Sequence, residues 1–402
     1  MSGSVLKLPP LSLSPRPFSA SRATPEHYSL IDLGADTIKV AVVAVTGDQV
    51  TVLGNSLAAA GGRDITGGRA EAAALTAAVN GALQEAEDAS EIIAGQKIVP
   101  DKALFVLPGR SLAGKLFTVK QRRINRSQPI AQHEIDLLWE RVLRLARQGL
   151  KTLPGVGADW LPHTVTPAGL WLDGRLVNDP LGLQGALLTL SVYGVICQPA
   201  IIRALEQLAE RLELEVYRLT AAAQSLAAIA PAKAALILDV GWSGTECCLI
   251  RHDALVAVGR AFMGGDFFTR SLAKTFKYDL AAAEALKLAF SSNDVLSEEN
   301  TVLVRQRLQA ALDRWADLVV ETIYSLNGSQ PLPGQLYFVG GSAVLPGLKE
   351  ALLRHLKQVG LTFERAPEMI NLGETPFQGF SHAPTGFRGL LFALALSLVK
   401  TI

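Results

Sequence analysis

Two segments of the sequence place an aspartate, a glycine and small polar residues directly after an apolar run. They are Asp32-Leu-Gly-Ala-Asp-Thr-Ile-Lys39 and Asp239-Val-Gly-Trp-Ser-Gly-Thr-Glu246. Glycine lets backbone N–H groups approach a phosphate, and turned backbone forms an anion-binding concavity. An aspartate there would repel phosphate by itself. It makes sense if Mg²⁺, usually with retained waters, lies between them. Two such turns facing each other would clamp a triphosphate, with Asp32 and Asp239 holding the metal through water. Gly34, Asp36 and Thr37 belong to the first turn, and Lys39 adds positive charge. Gly241, Trp242, Ser243, Gly244 and Thr245 belong to the second.

Two further pieces could complete a nucleotide site. Gly340, Gly341 and Ser342 follow an apolar run ending at Val339, and a glycine pair there lets backbone pass close to a base or ribose. Glu284 and Lys287 share one helix face at i,i+3 and could bracket a nucleoside; an ordinary solvated salt bridge has the same spacing. Each turn alone also occurs in ordinary hairpins. The pair carries more, because both follow apolar strands in two similar halves. GxxxxGK[ST], HExxH and GxSxG are absent, which argues against a P-loop enzyme, a zincin and an α/β-hydrolase.

The elements that must hold these residues follow from patterning. Residues 28–53 read as strand, turn, strand, turn, strand, with a β-branched run at 38–45. A Gly-rich loop at 61–68 precedes an Ala-rich helix at about 70–89, then a strand at 103–108. The same strand–Asp-x-Gly–strand–turn–strand order returns at 234–258, offset by 207 positions. That is a candidate internal duplication giving two similar domains. Helices are expected at 265–276, 280–290 and 297–327, a strand at 336–339, a helix near Leu348 and a loop-rich stretch at 362–388.

Residues 110–196 read as a small α+β insert. Ile135, Leu138, Trp139, Val142, Leu143 and Ala146 put one helical face over residues 132–150. Short strands are expected at 163–165, 170–172 and 187–193. The domain reading is therefore an extension at 1–27, a first domain at 28–109 and 197–232, the insert at 110–196, and a second domain at 233–387. A final helix at 388–402 returns to the first domain.

Composition limits the function classes. With 38 Lys+Arg against 37 Asp+Glu, no long-range field of one sign is expected, which argues against nucleic acid as a partner. Three cysteines, two adjacent and none in CxxC spacing, suggest neither a disulfide framework nor a zinc site, and fit a reducing cytosol. The apolar run 389–399 is about half the length needed to span a bilayer.

These motifs resemble the actin/sugar-kinase/DnaK-type chaperone superfamily, and within it the cell-division protein FtsA. The resemblance covers residues 28–398. It implies an α/β fold of actin-like (ribonuclease-H-like) type, duplicated, with a cleft between domains. The segments 135–149, 171–174 and 177–185 look like the FtsA subdomain called 1C. The implied ligands are ATP and Mg²⁺, bound by the two aspartate turns, the 340–342 turn and the helix carrying Glu284 and Lys287. The implied partners are FtsZ, other divisome proteins and further copies of the chain in filaments, at the division site on the inner face of the cell membrane. The type IV pilus protein PilM shares this architecture and is the nearest rival.

The sequence departs from the family at the second turn. The usual form is Asp-x-Gly-Gly-Gly-Thr-Thr-Asp; here Trp242 is bulky where backbone should approach phosphate, and Glu246 replaces the last aspartate. Gln224 is the candidate for positioning an attacking water. The expected enzyme activity is at most that of a weak ATPase. The sequence ends at Ile402 without the amphipathic helix usual in FtsA, so membrane attachment is expected to be missing, supplied by a partner, or moved to the N-terminal extension. An interaction module that no longer binds nucleotide is the reading from another class, and a small-molecule kinase a third.

Overall fold

The computed structural model describes residues 24–372 and 380–381, except 48, 62–64, 66–68, 108, 110–111, 231, 293–297 and 327–329. Residues 1–23, most of the 61–68 loop and the expected helix at 388–402 lie outside the described residues. The chain separates into two compact units. One comprises Ala113–Pro199, the other Pro25–Leu112 together with the chain from Ala200.

The larger unit contains two sheets built on the same plan. In the first, β1 (Glu26–Leu33) lies antiparallel to β2 (Thr37–Thr46), which pairs with β3 (Gln49–Ala59). On its other side β1 runs parallel to β4 (Lys102–Leu107), and β4 to β9 (Glu215–Ala221). In the second, β10 (Ala234–Val240) lies antiparallel to β11 (Thr245–Arg251), which pairs with β12 (Ala254–Ala261). There β10 runs parallel to β13 (Gln335–Val339), and β13 to β14 (Glu368–Asn371). Three antiparallel strands followed by parallel ones, twice, is the duplication expected from the sequence.

Burial explains the composition of the central strands. Leu30, Ile31, Val40, Ala41, Val42 and Val43 are fully buried, as are Leu236, Ile237 and Leu238. Strands covered on both faces read as continuous apolar runs, not alternations. The second sheet packs on α5 (Gly265–Phe276), α6 (Leu280–Ser292), α7 (Glu298–Leu326) and α8 (Leu348–Val359). Trp315 of α7 sits at the centre of this core.

The smaller unit holds a four-stranded sheet in the order β5 (Leu112–Arg122), β8 (Leu187–Cys197), β6 (Leu161–Leu172) and β7 (Arg175–Leu176), covered by α2 (Gln132–Leu150). Ile135, Leu138, Trp139, Val142 and Ala146 of α2 are buried, as their spacing requires. Arg123 is its polar keystone. Its guanidinium donates to both carboxylate oxygens of Glu134 at 2.8 Å, and to the carbonyls of Gln128, Pro129 and Gly185.

Several boundaries differ from the sequence reading. The segments at 163–165 and 170–172 form one strand, β6 (Leu161–Leu172), which bends through register shifts at Pro162/Thr164 and Pro167/Gly169. The prolines look like breaks in sequence, but bulges absorb them. The strands β5 (Leu112–Arg122), β9 and β14 were not anticipated, nor was β7 (Arg175–Leu176). β8 (Leu187–Cys197) runs four residues longer than expected. The chain also rejoins the first sheet early: β15 (Phe380–Ser381) pairs parallel with β3. Cys197, Cys247 and Cys248 are buried free thiols. Among the described residues no helix is long and apolar enough to cross a membrane.

Candidate functional site

A cleft of about 620 Å³ opens between the two sheet lobes of the larger unit. Its walls are two equivalent rows of strand residues. In the first lobe hydrogen-bonding register aligns Val106, Asp32, Lys39 and Leu57 across β4, β1, β2 and β3. In the second it aligns Val339, Asp239, Glu246 and Arg260 across β13, β10, β11 and β12. Directly opposed residues share one face of a sheet. All eight residues line the cleft.

The first turn joins β1 to β2. Asp32 is nearly buried, and Lys39 Nζ lies 2.6 Å from its Oδ2. Burial works against the charged ammonium, but Asp32 beside it, and then Asp239, hold the Lys39 pKa above its ordinary value. Thr37 Oγ1 donates to Asp36 at 3.2 Å, and the Asp36 carbonyl accepts from Ala60 N at 2.6 Å. A Cβ at Gly34 would meet the Thr37 carbonyl oxygen at 2.5 Å, so only glycine makes the turn this tight.

The second turn joins β10 to β11. Gly241 N donates to the Gly244 carbonyl at 3.0 Å. The start of α5 is stitched to the turn: Gly265 N donates to Gly241 O and Asp266 N to Trp242 O. Burial pushes the Asp239 carboxyl upward, Lys39 opposes this, and Asp32 adds to it. Glu246 is pushed up to about 7, by burial first and by Asp239 second, with Arg260 opposing.

The turn after β13 completes the cleft. Gly340 has φ +93°, and a Cβ there would lie 2.5 Å from Asp239 Oδ1. Ser342 N donates to the Val240 carbonyl at 3.0 Å, tying this turn to the second one. On α6, Lys287 is buried and lies 2.7 Å from Glu284. The Thr269 hydroxyl donates to Glu284 and accepts from Lys287. The spacing at 284 and 287 therefore belongs to a half-enclosed network, not to a solvated pair. The Trp242 ring lies over it, 4.9 Å from Lys287 Nζ.

The cleft lining brings together Asp32, Gly34, Asp36, Thr37, Lys39, Asp239, Gly241, Trp242, Ser243, Gly244, Glu284, Lys287, Gly340, Gly341 and Ser342. Thr245 is not among them. Its buried hydroxyl donates to the Met263 carbonyl at 2.9 Å and accepts from Trp315 Nε1 at 2.8 Å, so it serves the core of the second lobe. Gln224, on α4 (Ala222–Ala228), is also absent from the lining. Trp242 turns its ring toward Lys287 and the start of α5, which leaves the Gly241 and Gly244 backbone on the cleft wall. Arg260, Gly109 and Asn371 line the cleft and were not expected.

The donor set suits a hard divalent cation. Among the carboxylates lining the cleft, Asp32 and Asp239 hold equivalent places in the two lobes, and the Lys39 ammonium supplies positive charge beside Asp32. Among the described residues no group of three His, Cys, Asp or Glu could grip a metal directly. Two carboxylates acting through waters is the arrangement that fits Mg²⁺, which keeps its hydration shell.

Comparison with known proteins agrees with this architecture. No family model matches the chain. It is 26% identical over 218 residues to the cell division protein FtsA of Agrobacterium fabrum, and equally to that of Rhizobium radiobacter. Those matches cover 47% of this chain and 49% of each relative, so the chain matches about half the length of these curated relatives. FtsA of Streptococcus pneumoniae serotype 2 is 23% identical over 414 residues, covering 90% of this chain and 86% of the relative. Among solved structures, a chain of the PilM-PilN type IV pilus biogenesis complex superimposes with a TM-score of 0.60 at 19% identity, covering 92% of this chain and 96% of that one. The ethanolamine utilization protein EutJ from Carboxydothermus hydrogenoformans gives 0.51 at 15% identity, covering 94% and 92%. The fold is therefore that of the actin-like ATPases. In sequence the chain resembles FtsA, and in fold PilM is its rival.

Proposed function

We propose that the cleft binds ATP with Mg²⁺ and that the chain is an actin-like scaffold of the FtsA kind. The observation that supports this is the placement of Asp32 and Asp239, from two equivalent lobes, on one cleft whose third side is the Gly340-Gly341 turn. Lys39 and the turn backbones would hold the phosphates, and Glu284 and Lys287 would border the nucleoside. Asp32 and Asp239 would hold Mg²⁺ through water, and the ion would supply charge neutralisation for the phosphates. Gln224 is not among the residues that line the cleft. ATP then acts mainly as a structural ligand, and turnover is at most slow.

In this reading the partners are FtsZ, other divisome proteins and further copies of the chain, assembled through both lobes and the α+β unit. Membrane association is indirect or N-terminal, at the division site on the inner face of the membrane. The FtsA relatives support it. A second reading, a pilus-assembly platform engaging a PilN-like partner, is favoured by the TM-score of 0.60 over nearly the whole chain. A third, an interaction module without nucleotide, draws on Trp242 and Glu246 in the second turn.

Calorimetric titration of Mg²⁺-ATP into the wild type, Asp32→Ala and Asp239→Ala tests the nucleotide. Each variant should lose at least about tenfold in affinity, the scale of one charge-assisted contact. Absence of binding and of any thermal upshift in the wild type leaves the interaction module standing. Co-sedimentation with FtsZ from the same source separates the first two readings: no FtsZ in the pellet favours the pilus platform.

A further inference from the structure

The two lobes answer the same electrostatic problem differently. In the first, Asp32 is balanced by Lys39, its neighbour in the row. In the second, the position equivalent to Lys39 is Glu246, so Asp239 faces another acid. The compensating cation stands one strand further out, at Arg260, where the first lobe has Leu57. Its charge is felt by both Asp239 and Glu246.

The guanidinium sits where both lobes approach. Its Nε would lie 3.4 Å from a Cβ added at Gly244 in the second turn. Its Nη1 would lie 2.9 Å from one at Gly109, just past β4 of the first lobe. The Phe262 ring centroid lies 5.7 Å from its central carbon. Formal charges give the same answer. Asp32, Asp36, Asp239, Glu246 and Glu284 with Lys39 and Lys287 alone total −3, a poor host for a triphosphate even beside one divalent cation. Arg260 brings the set to −2, and one divalent cation then neutralises it. An arginine also presents several donors in a fixed fork that suits phosphate oxygens.

We propose that Arg260 is the phosphate ligand of the second lobe, the functional counterpart of Lys39, and that it distinguishes ATP from ligands with fewer phosphates. This rests on the nucleotide reading of the same cleft.

The test is a ligand series, Mg²⁺ with adenosine, ADP or ATP, titrated calorimetrically into the wild type, Arg260→Leu and Arg260→Lys. Leucine is chosen because Leu57 occupies the equivalent place in the other lobe. Arg260→Leu should weaken ATP by about 10–100-fold, the scale of a charge-assisted bond pair, weaken ADP less and leave adenosine unchanged. Arg260→Lys should recover part of the loss. Equal ATP affinity in Arg260→Leu overturns the assignment, and so does an equal loss for all three ligands, which marks a structural ion pair. If Arg260→Leu does not fold, Arg260→Gln carries the same comparison with a flat, uncharged side chain. A wild type that binds none of the three ligands refutes the nucleotide reading itself, and the Arg260 assignment with it.

Discussion

Replacing Glu246 by glutamine should change how the stability of the protein depends on pH. The Glu246 carboxyl titrates near 7 in the folded chain, because it is packed between the lobes and opposes Asp239 across the β10–β11 pair. In the unfolded chain it titrates in the ordinary carboxyl range. Between those values the folded state holds a proton that the unfolded state has released. Stability therefore falls as pH rises through this window, and the full favourable difference exists only below it. The gap corresponds to about 3 kcal/mol, and the side chain's partial exposure reduces the expected effect to about 2 kcal/mol. Glutamine keeps the shape and has no proton to lose. The Glu246→Gln variant should thus gain about 2 kcal/mol on the wild type between pH 4.5 and pH 8. Urea unfolding at several pH values, followed by tryptophan fluorescence, reads this directly. A stability difference that stays constant across the range would show that the carboxylate is solvated, and the packing argument would fail.

Other consequences are equally concrete. Gly340→Ala puts a β-carbon 2.5 Å from Asp239 Oδ1 in a left-handed backbone, at a cost of about 1–2 kcal/mol from the backbone alone; displacement of Asp239 should also abolish Mg²⁺-dependent nucleotide binding in a calorimetric titration. Arg123→Met removes the paired bonds to half-buried Glu134 and the bond to the buried Gly185 carbonyl in the smaller unit, so about 1–3 kcal/mol should be lost there. Hydrogen exchange should show that loss in residues 113–199 and little change around the cleft.

Much of this architecture is written locally. The turns at Asp32 and Asp239 and the face of α2 depend on residues close together in sequence, and their spacing expresses them. β6 was obscured because its prolines sit at bulges, where a missing donor costs nothing. β14 was missed because strand pairing with β13 fixes it, not its own composition. Thr245 illustrates the opposite failure. Its place in the motif points to a ligand, yet a bond from Trp315, 70 residues away, turns it into the core. Arg260 joins the site through register across two hairpin strands, which no linear spacing reveals.

The return of β15 to the edge of β3 has a consequence for synthesis. Phe380 pairs with Val50, across most of the chain, whereas the second sheet uses strands between Ala234 and Asn371 only. During translation the second lobe can therefore close its core first, since domains fold as units when their segments emerge. The first sheet must wait with an open edge, and such long-range closure is slow and exposed to mispairing. Among the described strands, β3 is the one whose edge is paired last, long after it has left the ribosome.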